Sequence, residues 1–199
     1  MPKVSEQHRE ARRDQIVDAA LRSFAAKGFQ RSSMADIISE AGLSAGAIYG
    51  HFDSKQELAL AVAQRVLGNR MDELGDRLHE TGELPPPSAM LRMMMAGLTR
   101  DVSDPGVLVQ LWGEAVTEPE LTRMIGPVFD EVQGVMGPYL ERWARERRDM
   151  VDAEAWSQRM VPVFLGLGQG FIVQSALLPG FDAERYFSGV ASLFEETTP

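Results

Sequence analysis

Three closely spaced serines near the N-terminus constrain the fold more than any other feature of this chain. Ser33, Ser44 and Ser54 each stand where a hydroxyl can accept a hydrogen bond from the backbone N–H groups that open a helix. Gly42 can take the left-handed conformation that ends a helix, and Glu57 completes a Ser-x-x-Glu capping box with Ser54. The spacing predicts two short helices joined by a tight turn, followed by the start of a long third helix.

Two short helices in this arrangement form a helix-turn-helix, a motif that places its second helix in the major groove of DNA. Apolar spacing predicts that Ile48 and Phe52 face the core, while Tyr49 and His51 reach outward. The small residues that precede Ile48 would let the second helix approach a groove wall closely. The residues expected on its exposed face are Ser44, Ala45, Gly46, Ala47 and His51.

These residues make the chain resemble the tetracycline-repressor (TetR) family of bacterial transcription regulators. The matching pattern, with x for any residue, is Ala41-Gly42-Leu43-Ser44-x-Gly46-x-Ile48-Tyr49-x-His51-Phe52-x-Ser54-Lys55-x-x-Leu58. The resemblance covers roughly residues 9–65 and departs from the commonest pattern at Ser33 and Ala47. Ala47 stands where a Thr or Ser is frequent in the family, and this change removes one hydroxyl contact to DNA.

The resemblance implies an all-α fold with two parts. The first is an N-terminal head of three helices that contains the helix-turn-helix, and the second is a C-terminal helical domain for ligand binding and dimerisation. The boundary is expected between residues 53 and 54, so that the head spans residues 1–53 and the second domain residues 54–199. The resemblance further implies a homodimer, a double-stranded DNA operator and an unidentified small-molecule effector.

Apolar residues recur at helical spacing along the rest of the chain, and no alternating strand pattern of useful length occurs. The predicted helices with two defined ends are Gln7–Lys27, Lys55–Glu80, Asp152–Leu178 and Ala183–Glu195. Three more helices are expected to be capped by Ser88, Asp104 and Glu118, and the last of these helices reaches Arg148. Gly126-Pro127 and Gly137-Pro138 are expected to bend or split that helix. The sequence therefore predicts an all-helical protein of about nine helices.

The net charge of −9 is unevenly distributed. Residues 1–60 contain eight basic and eight acidic side chains, so the whole excess of negative charge lies in the remainder. An acidic second domain would be repelled by phosphates, which favours docking on DNA through the head alone. Ordinary solubility explains the asymmetry equally well. The chain has no cysteine and its first residues lack an apolar core, so we expect a cytoplasmic protein without disulfides.

The candidate DNA contacts fall into two groups. Lys55 opens a helix whose first N–H groups favour phosphate. Ser33 can supply a hydroxyl, and Arg31 and the Arg12-Arg13 pair can supply charge. Base edges are left to the second helix, where only Ser44 and His51 carry hydrogen-bonding side chains on the exposed face. His51 fits a phosphate contact or a helix C-terminal cap as well as it fits base readout. The full set is Arg31, Ser33, Ser44, Ala45, Gly46, Ala47, Tyr49, His51 and Lys55.

Large, adaptable side chains are spread through the second half of the sequence with few polar residues among them, as in apolar ligand pockets. Glu114 is the sharpest candidate, because it follows an apolar run and could face a cationic ligand, solvent or Arg123. For any single one of these residues, core packing is the simpler explanation. The candidate pocket residues are Met94, Trp112, Glu114, Phe129, Trp143, Phe164 and Gln169.

Residues 160–181 contain no charged side chain. A membrane span is not favoured, because Pro, Gly and Gln interrupt the segment and no basic cluster marks one end of it. A helix this apolar is usually buried in protein, and the resemblance implies that the last two helices pair with those of a second subunit. Packing within one subunit is the alternative. The candidate interface residues are Gly166, Gly170, Phe171, Gln174, Phe187 and Phe194.

Catalysis has little support in the sequence. His8, His51 and His79 are the only histidines and none has a partner at metal-ligand spacing, so we expect no catalytic residue, metal or cofactor. We predict a homodimeric repressor that a small apolar ligand releases from a pseudo-palindromic operator. A regulator that needs no ligand, or one that activates transcription, is the alternative, and an enzyme is not favoured.

Overall fold

The computed structural model describes residues 2–65, 84–102, 104–148 and 150–194. Within these residues every regular element is an α-helix, which confirms the all-α prediction and the expected number of helices. The helices are α1 (Pro2–Lys27), α2 (Met34–Ala41), α3 (Ala45–Tyr49), α4 (described over 55–65), α5 (Pro87–Asp101), α6 (Gly106–Thr117), α7 (Pro119–Arg148), α8 (Ala153–Leu177) and α9 (Ala183–Phe194). The remainder of the predicted fourth helix, residues 66–80, lies outside the described residues, as does Glu195 at the end of the predicted ninth.

Contacts divide the chain into two compact units. Unit 1 comprises Met1–Val66 together with Val107–Gly126, and unit 2 comprises Leu67–Gly106 together with Pro127–Pro199. Helix α6 therefore belongs to the same unit as α1, α2 and α3, although it lies far from them along the chain. The functional boundary between residues 53 and 54 stays a prediction.

Unit 1 is built on the apolar stripe of α1. Ile16, Ala20 and Phe24 recur at helical spacing and are all buried, as the periodicity predicts. Helix α1 packs against α2, and the ring of Phe24 meets that of Phe29 edge to face with centroids 5.3 Å apart. This core holds the helix-turn-helix in place.

The caps predicted at the two ends of the turn are confirmed. Ser33 Oγ accepts a hydrogen bond from the backbone N–H of Asp36 at 3.2 Å, and the Asp36 carboxylate accepts one from the N–H of Ser33 at 2.9 Å. Gly42 ends α2 in the left-handed region, with φ at 64°. Ser44 Oγ then accepts from the N–H of Ala47 at 3.3 Å and caps α3.

The cap of α4 differs from the prediction in one of its two bonds. Ser54 Oγ accepts from the backbone N–H of Glu57 at 3.1 Å, as expected. The Glu57 carboxylate accepts from the N–H of Asp53 at 2.7 Å, whereas the capping box predicts the N–H of Ser54. That half of the prediction is wrong, because the Glu57 side chain reaches one residue further back along the chain.

Unit 2 packs α5, α8 and α9 against one another. Helix α8 contacts α5 at Gly168, where a Cβ would stand at ordinary contact distance, 3.6 Å from Leu91 and 3.7 Å from Met95. The rings of Phe171 on α8 and Phe187 on α9 stack with centroids 5.0 Å apart. Aromatic stacking and small-residue contacts therefore fix the three helices together.

The predicted start of α5 and a split of α7 are wrong, while a bend in α7 stays a prediction. Helix α5 begins at Pro87 with Pro86 as its N-cap, and Ser88, the predicted cap, is buried inside the first turn. Proline suits the first helical position, because its φ is already helical and it has no N–H to satisfy. Helix α7 continues through Pro127 and Pro138 without a split. Each proline removes one backbone hydrogen bond, and the remaining bonds of a helix of 30 residues keep it continuous.

By length and composition alone, α8 is the one helix in the described ranges that could cross a membrane. Core helices of globular proteins pass the same test, and α8 packs against α5 and α9 within unit 2. Only a minority of its most apolar stretch is buried in the protomer. Its outer face therefore carries apolar side chains that no described residue covers.

Replacing Ser33 by Ala should lower the free energy of unfolding by about 1 kcal/mol, because the change removes the side-chain acceptor that caps α2. Urea denaturation followed by circular dichroism measures the loss. Ser39→Ala is a matched control, since Ser39 is exposed within the same helix and alanine is the better helix former. Equal losses in the two variants would contradict the capping role.

Candidate nucleic-acid interface

Helix α3 presents small and polar residues outward because its apolar residues are held beneath it. Ile48 is fully buried, and Phe52, just past the end of the helix, is buried as well. Ser44, Ala45 and Gly46 are exposed in the same unit. The face that the sequence predicts for reading DNA is therefore accessible to a partner.

Gly46 leaves room for close approach to α3, and Tyr49 offers an exposed hydroxyl. A Cβ placed on Gly46 would meet no atom of the described protein within 4 Å, so packing does not require glycine there. Tyr49 keeps 49% of its surface exposed, which is high for a large aromatic side chain. Ala47, between them, is half-buried. The exposed face thus combines an open backbone position with a hydroxyl that can donate a hydrogen bond.

Lys55 already binds neutral acceptors within unit 1. Its Nζ donates to the carbonyl oxygen of Phe29 at 2.9 Å and to that of Gln30 at 3.4 Å. The same ammonium lies 4.3 Å from the centroid of the Phe29 ring. Because none of these partners carries a negative charge, the positive charge of Lys55 is not cancelled.

Arg31 and Ser33 are also engaged with neighbouring groups. Arg31 Nε donates to the carbonyl oxygen of Lys27 at 3.0 Å, at the C-terminal end of α1 where a cation is favourable. The Ser33 hydroxyl donates to the Asp36 carboxylate at 2.7 Å. Both residues are exposed, so any contact with phosphate adds to these bonds or exchanges with them.

Asp36 stands at the N-terminus of α2 between a cation and a hydroxyl. Lys27 Nζ lies 2.6 Å from its carboxylate. Hydrogen bonds from Lys27 and then from Ser33 lower the pKa of Asp36 to about 2. The carboxylate is therefore ionised near neutral pH and cancels the charge of Lys27.

His51 lies half-buried just beyond α3, with its ring centroid 6.5 Å from that of Phe52. Burial is the first cause that lowers the pKa of His51, and the charges of Arg9, Arg12 and Arg13 act in the same direction. The neutral imidazole is favoured, and it keeps one ring nitrogen as an acceptor. The sequence analysis named Arg12 and Arg13 as a source of charge for DNA binding, but it did not place them beside His51 and did not include Arg9. The spacing of the three residues was an available signal.

A contact between α6 and the turn after α1 was also missed from the sequence. The side-chain amide of Gln30 donates a hydrogen bond to the carboxylate of Glu114. One helical turn earlier, the amide of Gln110 lies against Gly28, whose φ of 77° favours glycine. A salt bridge of Glu114 with Arg123, one of the alternatives that the sequence left open, is not the contact that forms in the described residues. Helix α6 thus touches the segment that leads into the helix-turn-helix.

The predicted pocket residues are divided between the two units, so they do not form one cluster within either of them. Trp112 and Glu114 belong to unit 1. In unit 2 the buried members are Met94, Trp143 and Phe164, and the half-buried members are Phe129 and Gln169.

The predicted interface residues differ widely in exposure, although all of them lie on α8 and α9. Gly166 is exposed, Gly170 and Gln174 are half-buried, and the buried members are Phe171, Phe187 and Phe194. The outer faces of the same helices instead expose Val163, Leu177 and Leu193.

Two short helices, α2 and α3, are joined by a tight turn, and the second is exposed on one face and fixed by buried residues on the other. This arrangement defines a helix-turn-helix DNA-binding domain. Residues 16–62 of the chain match the sequence model of the bacterial regulatory proteins of the tetR family. The chain is also 26% identical over 184 residues to the HTH-type transcriptional regulator Mb2936c of Mycobacterium bovis, across 90% of this chain and 88% of that one. Residues 16–62 therefore form a helix-turn-helix DNA-binding domain of the TetR type, and the relatives that the chain resembles are helix-turn-helix transcriptional regulators.

Other curated relatives match over shorter stretches. The HTH-type transcriptional regulator YfiR of Bacillus subtilis is 32% identical over 106 residues, and the chain spans only 50% of its length. The HTH-type transcriptional repressor Rv1474c of Mycobacterium tuberculosis is 45% identical over 64 residues, which cover 34% of that protein. Only part of these two relatives is therefore comparable with this chain.

Solved structures share the fold of this chain. A TetR-family regulator from Syntrophomonas wolfei superimposes with a TM-score of 0.74 at 13% identity, over 93% of both chains. A transcriptional regulator from Saccharomonospora viridis, solved in complex with choline, gives a TM-score of 0.66 at 23% identity, over 94% of this chain and 97% of that one. At these identities the likeness concerns the fold alone.

Acidification should destabilise the protein partly through His51. The pKa of His51 in the folded state lies below its usual 6.5, so its contribution to stability is present above that pH and is lost as the pH falls. When the pH is lowered from about 8 to about 5, the melting temperature of the His51→Gln variant should therefore fall less than that of the native protein. His8→Gln, which replaces an exposed histidine of α1, is the control. Identical pH profiles for His51→Gln and the native protein would contradict this role.

Proposed function

We propose that this regulator is a homodimeric repressor, which binds a pseudo-palindromic operator and is released from it by a small, largely apolar ligand. The observation that carries the DNA-binding part is the exposed face of α3 above the buried Ile48. Two such helices, related by two-fold symmetry, would enter successive major grooves on one side of the duplex. The name of the relative Rv1474c, a transcriptional repressor, supports repression over activation.

In this proposal the contacts of each protomer divide between bases and backbone. Ser44 and His51 supply the hydrogen bonds to base edges, and the open position at Gly46 lets the α3 backbone approach the groove floor. Tyr49 donates its hydroxyl to phosphate. Sequence-dependent DNA shape supplies the remaining specificity. The backbone contacts are completed by Arg31, Ser33 and Lys55, with Ala45 and Ala47 packed against the groove wall.

The dimer interface is proposed on the outer faces of α8 and α9. Val163, Leu177 and Leu193 expose 46%, 64% and 64% of their surfaces there, and burying such side chains in a partner is favourable. Gly166 is exposed on the same helix as Val163 and would allow two α8 helices to approach closely. Phe187, buried beneath, holds α9 in position. In this proposal the exposed residues contact the partner subunit, and the buried Phe187 supports the helix that carries one of them.

The effector site is proposed among the large side chains of unit 2, from Met94, Phe129, Trp143, Phe164 and Gln169. The choline complex of the Saccharomonospora viridis regulator supports a small organic ligand. The contact of Glu114 with Gln30 offers a route to the head, because it joins α6 to the turn that precedes α2. A ligand that shifts α6 would then disturb the turn before α2.

We further propose a cytoplasmic regulator rather than an enzyme. Within the described residues, no three His, Cys, Asp or Glu side chains are grouped so that they could hold a metal. A regulator that binds no ligand, or one that activates transcription, is the second candidate. It is favoured if ligands bind without changing the affinity for DNA.

Selection from a random duplex library should enrich an inverted repeat whose half-sites lie about 10 base pairs apart or a multiple of that distance. Gly46→Leu should weaken binding to the selected duplex roughly tenfold or more, because the new side chain occupies the space left for DNA. Gly134→Leu is the matched control, since a Cβ there also meets nothing within 4 Å. Equal affinities for both variants would contradict the proposed role of α3.

Val163→Glu combined with Leu193→Glu should convert the dimer into monomers, because two carboxylates per protomer would then be buried in the interface. Sedimentation velocity measures the change in mass. Val116→Glu is the control, since Val116 is 86% exposed on α6 outside the proposed interface. A double variant that stays dimeric with native affinity would place the interface elsewhere.

Thermal shift with a panel of apolar and quaternary ammonium compounds, choline first, should identify a ligand that stabilises the fold by mass action. The same compound should weaken operator binding by a coupling free energy of about 1–3 kcal/mol. Glu114→Ala should bind the compound normally and lose much of that coupling, whereas Glu118→Ala, one turn further along, should keep it. A stabilising ligand that leaves operator affinity unchanged would favour the ligand-independent candidate.

A further inference from the structure

Three arginines on α1 converge on the C-terminal end of α3. Arg9, Arg12 and Arg13 are spaced three and four residues apart, so that they share one side of the helix. The guanidinium carbon of Arg13 lies 5.2 Å from the centroid of the Phe52 ring. All three charges act on His51, after burial, to lower its pKa. The group is called the α1 arginine cluster below.

Among the described residues of unit 1, Arg22, Lys27 and Arg65 have carboxylate partners, whereas the α1 arginine cluster has none. Arg22 pairs with Glu40 at 2.7 Å, and Lys27 pairs with Asp36 at 2.6 Å. Arg65 pairs with carboxylates of α1 at 3.0 and 3.5 Å. Among the residues that the structure describes, no ion pair joins a member of the cluster to a carboxylate.

This difference concentrates positive charge in one place. The first 60 residues are neutral in sum, and their ion pairs lie along the packing between α1 and its neighbours α2 and α4. The uncancelled guanidinium groups remain beside His51, directly after the exposed face of α3. Arg9 and Arg13 are exposed, and Arg12 Nη1 is held by the Gln15 side chain at 2.9 Å, which leaves its other donors available.

The chemistry of this cluster matches a phosphate backbone. A guanidinium group has several donors in a rigid fork that fits phosphate oxygens, and its charge persists at any physiological pH. The phosphates of a duplex border the groove that a recognition helix enters. A cationic cluster at one end of α3 would therefore meet a bordering strand when α3 lies in the groove.

We propose that Arg9, Arg12 and Arg13 form a second DNA-contacting surface, which binds the phosphates next to the base pairs that α3 reads. The inference rests on the proposed DNA binding and extends its footprint from the helix-turn-helix to the first turns of α1. The cluster supplies affinity that is independent of sequence, and it fixes the orientation of α3 in the groove. Base preference stays with α3.

The salt dependence of binding tests this surface. Each phosphate contact adds about 0.9 to the slope of log affinity against log salt concentration, because binding releases condensed counterions. A triple variant, Arg9→Gln with Arg12→Gln and Arg13→Gln, should lower that slope by about 2 to 3 for each protomer that contacts DNA. Fluorescence anisotropy with a labelled mixed-sequence duplex, from about 50 to about 200 mM salt, measures it.

Two controls separate charge from folding. Arg22→Gln removes an arginine of the same helix that is already paired with Glu40, and it should leave the slope unchanged. Arg9→Gln alone should lower the slope by about 0.9 for each bound protomer, so the test survives if loss of the Arg13 contact with Phe52 unfolds the triple variant. Replacing all three arginines by lysine should retain most of the native slope.

The possible outcomes distinguish this inference from the proposed function. If the native protein binds no duplex, the proposed function fails and the α1 arginine cluster fails with it. If the native protein binds DNA and both Gln variants keep the native slope, the cluster does not contact phosphate and only this inference is overturned. A reduced slope together with an unchanged preference in site selection supports it.

Discussion

A helix of five residues has no stability of its own in water, so the exposed surface of α3 depends on the burial of Ile48. That side chain is fully enclosed, and Phe52 continues the anchor just beyond the helix. Ser44 supplies the missing acceptor at the N-terminal end. With one residue fixed inside, helical geometry decides which of the others face outward. The arrangement of groups offered to DNA is thus a consequence of one buried isoleucine.

The turn before α2 is the other point on which unit 1 depends. Lys55 ties it to the start of α4 through two backbone carbonyls, while Gln110 and Glu114 bring α6 against it at Gly28 and Gln30. A segment without regular structure is therefore held from two helices at once. A displacement of α6 would act directly on this turn, because Gly28 and Gln30 both contact α6.

Features that depend on a few neighbouring residues were predictable from the sequence. The caps at Ser33 and Ser44 and the turn at Gly42 need only local hydrogen bonds and one glycine, and all three are found. The carboxylate of Glu57 was misassigned by one residue, because two backbone donors lie within its reach. The start of α5 was misplaced because Ser88 is drawn into the core of unit 2, a tertiary effect that capping preferences ignore.

Features that depend on distant parts of the chain were not predictable. The contact of Glu114 with Gln30 joins residues 84 positions apart, and no periodicity signals it. The burial of Phe187 and Phe194 inside unit 2 follows from the packing of α9 on α8 and α5, whereas the sequence analysis placed both residues in the dimer interface. The DNA-contact list from the sequence remains a prediction, and the structure adds which of its members are already held by neighbouring groups.

The open space around Gly46 has an evolutionary consequence. Alanine or a larger residue would suit the interior of a helix better than glycine by about 1 kcal/mol, and no neighbour in the described protein stands in the way. The fold therefore makes no demand on this position, and a mutation there changes little except what the helix offers to its partner. Substitutions at Gly46 can therefore change the DNA sequence that homologous proteins recognise while the core residues stay the same. New target sites can evolve at this position without compensating substitutions elsewhere.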